Sequence, residues 1–204
     1  MLQSIKSKVV SRIYGHGRGY VFSAGGFYDL APRSSVDKAL SDLCKEGIIR
    51  RLSPGIYDYP VYDEKFGGRL APDFDRVSKV VAEKNGWRIQ PSGALAANLL
   101  GLSTQVPAKS IYLTDGQSKT MKIGNRSLVF KRVPPKELLP GTEIVILVTQ
   151  ALRNMGKNAV DDEAIQHLRG MLTDKDKKAL LDETRHMENW LWEAIKKIAR
   201  KGVV

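Results

Sequence analysis

A chain of 204 residues carrying 33 Lys/Arg against 22 Asp/Glu, a formal net charge of +11, is long enough to bury a core in one or two domains. Its charge selects nucleic acid, an anionic membrane surface or an acidic protein as partner classes. No apolar run approaches the roughly 20 residues that span a bilayer and no leader pattern opens the chain, so a cytoplasmic protein is expected. The single cysteine, Cys44, excludes an internal disulfide framework and a cysteine-based structural zinc site, and reads as a small buried hydrophobe.

Residues 2–14 place Leu2, Ile5, Val9 and Ile13 on one helical stripe, and the glycines of "GHGRGY" end that helix. "VFSAGGFYDL" reads as a short strand entering a short helix that Ser23 caps. "APRSSVDKALSDLCKEG" is a longer helix: Ser34 and Asp37 have capping-box spacing, Val36, Ala39, Leu40 and Leu43 form the apolar stripe, and Gly47 stops it. "IIRRLSPGIYDYP" follows as a hairpin turning at Ser53-Pro54-Gly55. Three helices and a β-hairpin over residues 1–66 are the plan of a winged helix-turn-helix, whose second motif helix enters the major groove while the wing reaches the neighbouring backbone. Arg33, Ser34, Ser35 and Lys38 are the candidate DNA contacts in the helix, with Ser34 and Asp37 as mere caps and a Lys38–Asp42 surface pair as the blander reading. Strand alternation sends Arg50 and Arg51 to opposite faces, so at most one of them points at DNA, and Tyr57 packs beneath the wing.

Residues 60–72, with two prolines and a glycine pair, read as a linker to a second domain at 73–204. Charge is uneven along the chain: residues 1–66 hold ten Lys/Arg against seven Asp/Glu, whereas residues 76–136 hold eleven against two. "DFDRVSKVVAEKNG" is a helix capped by Asp73, with Val77, Val80 and Val81 inward; Asp73 and Asp75 suit capping better than a metal-binding pair. "WRIQPSGALAANLLGLS" gives an extended piece and a small-residue helix closed by Gly101. "KSIYLTDGQ" and "TMKIGNRSLVFKRV" are strands, the latter turning at Gly124-Asn125, and Lys109, Lys119, Lys122, Arg126, Lys131 and Arg132 on them are expected to form one basic face. The remainder, 142–200, is helical: Ile144, Leu147, Val148, Ala151, Leu152 and Met155 mark one helix, 161–171 a second, and 174–200 a third capped by Thr173, with Trp190, Leu191, Ile195 and Ile198 as core. The fold class expected is therefore α+β.

The segments "SSVDKALSDLCKEGIIRRLSPGIYDYP", "PSGALAANLLGLSTQVPAKSIYLTDG" and "LVFKRVPPKELLPGTEIVILVTQALRNMGK", with the final helices, resemble the AbiEi family of bacterial antitoxins from type IV abortive-infection toxin-antitoxin pairs. The resemblance implies a winged helix that binds inverted repeats in double-stranded DNA of its own promoter, and a C-terminal domain that supports neutralisation of a co-encoded nucleotidyltransferase toxin. It carries the DNA-contacting role onto Arg33, Ser34, Ser35 and Lys38 in the helix and onto Arg50, Arg51 and Tyr57 in the wing. The resemblance leaves direct contact with the toxin open, since members of the family have been described as countering their toxin without a stable complex. No cofactor or metal motif and no catalytic constellation accompany it: His16, His167 and His186 are scattered, and an enzyme is not expected. The alternative is a protein-interaction module whose basic middle segment docks an acidic partner without specific DNA binding.

Overall fold

The computed structural model describes residues 4–105 and 107–200, with the side chain of Phe66 left aside; Leu2 of the expected first stripe lies outside the described residues. The fold is α+β, and the chain divides into two compact units, residues 1–88 with 120–128 and residues 89–119 with 129–204.

In the first unit, α1 (Ile5–His16) is capped by the Ser4 hydroxyl, which accepts from the Ser7 amide, and buries Val9 and Ile13. β1 (Val21–Ser23) leads into one turn of 3-10 helix at Ala24–Phe27, and α2 (Arg33–Lys45) follows. β2 (Arg50–Ser53) and β3 (Ile56–Asp58) form the hairpin, and the antiparallel sheet runs β1-β3-β2. Val36, Ala39, Leu40 and Leu43 recur at helical spacing, so one side of α2 closes over Val9, Ile13, Phe22 and Phe27. This is the winged helix-turn-helix expected from the sequence, with its first motif helix shortened to the 3-10 turn.

Two expected caps do not form. Ser23 occupies the cap position of the 3-10 turn, but its side chain makes no capping hydrogen bond. The cap residue of α2 is Pro32, so Ser34 falls inside the first turn, where its hydroxyl no longer precedes the amides it was to satisfy; Asp37 instead faces Arg33 at 3.5 Å.

The stretch expected to be a linker is structured. β4 (Tyr62–Asp63) and β5 (Gly68–Arg69) pair across a 3-10 turn that Gly67 closes with a left-handed φ of 75°. Arg69 then donates to the Gly47 carbonyl at 2.7 Å, and Leu70 accepts from Arg50 at 3.1 Å. α3 (Phe74–Asn85), capped by Asp73 through the amides of Asp75 and Arg76, buries Phe74, Val77 and Val81 and packs beside β1. The division between units therefore falls after Arg88, not between 66 and 73, because α3 uses its apolar side to cover the winged-helix sheet.

The second unit opens with β6 (Ile89–Pro91) and α4 (Gly93–Leu99), followed by β7 (Lys109–Thr114). β8 (Lys119–Ile123) and β9 (Arg126–Arg132) turn at Gly124, whose φ is 60°. The sheet order is β6-β7-β9-β8, and residues 120–128 at the tip of the last hairpin group with the first unit. α5 (Glu143–Met155) is the helix that its 3-4 spacing predicts, not a strand, and Val148, Ala151 and Leu152 are fully buried on it.

α6 (Asp162–Met171) is capped by Asp161, and α7 (Asp174–Glu183) starts with a complete capping box between Thr173 and Asp176. The helix expected over 174–200 is broken. α7 stops at Thr184, whose hydroxyl bonds back to the Leu180 carbonyl, and α8 (Asn189–Ala199) begins after a turn. Leu191, Ile195 and Ile198 of α8 join Leu152 and Leu168 in the helical core, with Trp190 at its margin.

Candidate nucleic-acid interface

α2 shows solvent two adjoining strips. Arg33, Asp37, Ser41 and Cys44, spaced by four, four and three residues, form one wall of a groove of about 650 Å³ whose opposite wall is the wing, Arg51, Pro54, Gly55 and Tyr57. Its end is closed by Ser23, Gly25 and Tyr28, and Lys84 of α3 enters from the wing side. Ser34, Lys38 and Lys45 lie one step round the helix, all exposed, with Lys45 4.0 Å from Asp42; Ser35 is half-buried.

Arg33 is held loosely. Its side chain is 78% exposed, its guanidinium lies 5.9 Å from the ring centre of Tyr28, and Asp37 is a single weak partner. A cation so placed is free to leave for a stronger acceptor. Arg51 is also exposed and sits 6.0 Å from the centre of the Tyr57 ring. Tyr57 itself is only 6% exposed, and burial pushes its phenol above the ordinary value. Tyr57 is therefore the floor beneath Arg51, packed under the wing as its position in the hairpin leads one to expect. Cys44, expected to be a small buried hydrophobe, is half-buried and packs against the core of this unit, and burial raises its thiol pKa.

Arg50 points the other way. Its guanidinium makes two hydrogen bonds to Asp58, at 3.0 and 2.6 Å, and Asp58 is 1% exposed. Alternation along β2 turns Arg50 from the groove, as the pairing of Arg50 with Asp58 and of Arg51 with Tyr57 requires, so of the two arginines Arg51 is the one that lines it.

The expected basic face on β7, β8 and β9 is not assembled as a single face. Lys109, Lys119, Lys122, Lys131 and Arg132 are exposed, but Lys119 shares strand parity with buried Met121 and Ile123 while Lys122 has the opposite parity, and Lys131 and Arg132 are adjacent. Arg126 is half-buried and stacks over Phe74, 4.4 Å from its centre, where it covers an apolar ring.

Grouping charge by folded unit changes the picture that linear counting gives. The first unit holds 17 Lys/Arg against ten Asp/Glu, the second 16 against 12, because Arg76, Lys79, Lys84, Arg88, Lys122 and Arg126 fold with the winged helix. The winged-helix unit is thus the more basic of the two. Lys84 was missed as a site residue: nothing in the sequence links it to Pro54, thirty residues earlier, whose carbonyl it reaches at 2.8 Å. Among the described residues no group of three or more His, Cys, Asp or Glu side chains gathers to hold a metal ion, and no helix is long and apolar enough to cross a membrane.

Comparison with known proteins adds a family and a distant likeness. A family described as "Family of unknown function (DUF6088)" matches residues 8–180. The crystal structure of the RV2827C protein from Mycobacterium tuberculosis is similar at 13% identity with a TM-score of 0.43, over 98% of this chain and 77% of that one. No curated protein matches the chain.

Proposed function

The chain belongs to the DUF6088 family, whose description assigns no function, and we propose that it is a cytoplasmic DNA-binding transcriptional repressor, acting on its own promoter as the antitoxin of a phage-defence pair. The observation that carries the DNA-binding part is the placement of Arg33 and Arg51 on opposite walls of one groove, one from the motif's second helix and one from the wing. In a winged helix these are the two elements that reach base edges and the adjoining phosphates, and both arginines are exposed with weak partners. Ser34 and Lys38 on the adjoining strip extend the contact along α2, and Arg50 holds the wing.

The antitoxin part rests on the AbiEi resemblance of the segments at 34–60, 91–116 and 128–157. The nucleotidyltransferase toxin is a functional partner, with no contact surface assigned to it. The proposed role needs no catalysis and no cofactor.

A gel shift on the DNA upstream of the protein's own reading frame tests the repressor reading. Retention of an inverted repeat over a scrambled duplex at modest salt supports it; equal, salt-sensitive binding to both duplexes sinks it, because any basic protein binds DNA non-specifically at low salt. Co-expression with the neighbouring reading frame tests the antitoxin reading, with rescue of growth as the supporting result and unrelieved toxicity as the opposing one.

A further inference from the structure

Lys84 closes the groove from a helix that lies outside the winged-helix motif. It stands in the last turn of α3, its ammonium donates to the Pro54 carbonyl at 2.8 Å, and it lies so close over the wing tip that a Cβ on Gly55 would meet Nζ at 2.8 Å. Gly55, with φ of 73°, is the residue that both turns the wing and leaves room for this side chain.

The groove is lined by three cations, Arg33, Arg51 and Lys84, each from a different element, and by one carboxylate, Asp37, which already faces Arg33. Its other polar side chains, the Ser23 and Ser41 hydroxyls, the Tyr28 and Tyr57 phenols and the Cys44 thiol, bring no carboxylate. Lys84 is exposed, and its hydrogen bond to the neutral Pro54 carbonyl lacks the attraction of a full negative charge that a phosphate oxygen would add.

We propose that α3 is a third DNA-contacting element, with Lys84 exchanging the Pro54 carbonyl for a backbone phosphate when duplex DNA enters the groove. The inference rests on the DNA-binding reading and deepens it. Lys84 supplies affinity and no sequence information, because a phosphate is the same at every step. In the unbound protein the same ammonium ties the wing tip to α3.

The test is the dependence of the binding constant on salt, measured with the full chain on its own upstream DNA and on a scrambled duplex, for wild type, Lys84→Gln, Lys84→Ala and Lys84→Arg. Lys84→Gln keeps a donor for the Pro54 carbonyl and removes the charge, which guards against a variant that merely loosens the wing. The expected result is that Gln and Ala lower the slope of log K against log salt by about 1, the increment for one released counterion, and weaken both duplexes by the same factor, while Arg restores slope and affinity. Lys79→Ala, on the same helix but outside the groove, should leave the slope unchanged. An unchanged slope in Lys84→Gln with wild-type binding intact overturns this inference alone, as does a change in sequence preference without a change in slope. Wild-type protein that binds no duplex overturns the DNA-binding reading and this inference with it.

Discussion

Arg50 and Asp58 face each other across the wing hairpin in a two-point ion pair, the carboxylate almost fully buried and the guanidinium also bonded to the Leu70 carbonyl. The pair ties β2 to β3 and both to the segment that leads into α3. Removing Arg50 leaves Asp58 buried without its counter-charge, whereas removing both side chains leaves no buried charge unpaired. Arg50→Ala should therefore cost about 3 kcal/mol, and Arg50→Ala/Asp58→Ala distinctly less than the sum of the single changes. Denaturant melts of the two single variants and the double variant measure this; additive losses would contradict it.

Arg51 is the neighbour in sequence and the opposite in role. Arg51→Ala and Arg33→Ala should leave the melting temperature within a degree or two of wild type and weaken binding to the protein's own upstream DNA by about 1–3 kcal/mol where a base edge is read. Arg50→Lys should show the reverse pattern, with lowered stability from loss of the bidentate geometry and a normal salt slope. Titrations by fluorescence anisotropy at fixed salt, beside thermal melts, separate the two classes.

Gly93 lies where α4 packs tightly against α5. A Cβ there would meet the Asn154 Cβ at 2.6 Å and the Gln150 carbonyl at 2.9 Å, and a backbone oxygen inside a helix has little room to retreat. Gly93→Ala should lower stability by about 1–3 kcal/mol through overpacking, although alanine has the better helix propensity. A gain in melting temperature would show that α4 shifts freely on α5.

Three carboxylates are held below their ordinary values: Asp29 by the hydrogen bonds from Arg12, Asp176 by the side chain and backbone of Thr173, and Glu188 by the hydrogen bond from Arg153. Since each folded value lies below the unfolded one, the stabilisation is fully present above the unfolded values near about pH 4 and is lost as pH falls through the folded ones. The melting temperature should fall as pH is lowered below about 4, and Arg153→Met with Thr173→Ala should shrink that fall. All three groups are close to solvent, so the effect is modest and should weaken further in high salt.

How legible these features were depends on how far apart in sequence the interacting groups lie. The stripe of Val36, Ala39, Leu40 and Leu43 and the Asp73 and Thr173 caps are local, and spacing alone revealed them. The winged-helix plan followed from their order. Alternation separated Arg50 from Arg51 but did not say which one faced inward, because the partner of Arg50 lies eight residues on, across a turn. The break between α7 and α8 was hidden because "TRHME" has neither glycine nor proline; it is made by Thr184 bonding back to Leu180 and by Leu191 and Ile195 burying in a new direction.

The basic surface was the least legible feature. Counting charge along the chain put the excess at 76–136, outside the winged helix, yet six of those eleven cations fold with it. Lys84 reaches back to Pro54 and Arg126 packs on Phe74, and both contacts depend on long-range packing that no local pattern encodes.

The measurement that bears most directly on the account is a footprint of the full chain on its own upstream DNA at modest salt, run beside Arg33→Ala and Arg51→Ala. DNA contact by both arginines predicts a discrete protected inverted repeat that each substitution shifts to higher protein concentration while the proteins stay folded. Absence of any discrete protection by the wild-type protein at that salt, or protection that neither substitution alters, would contradict it.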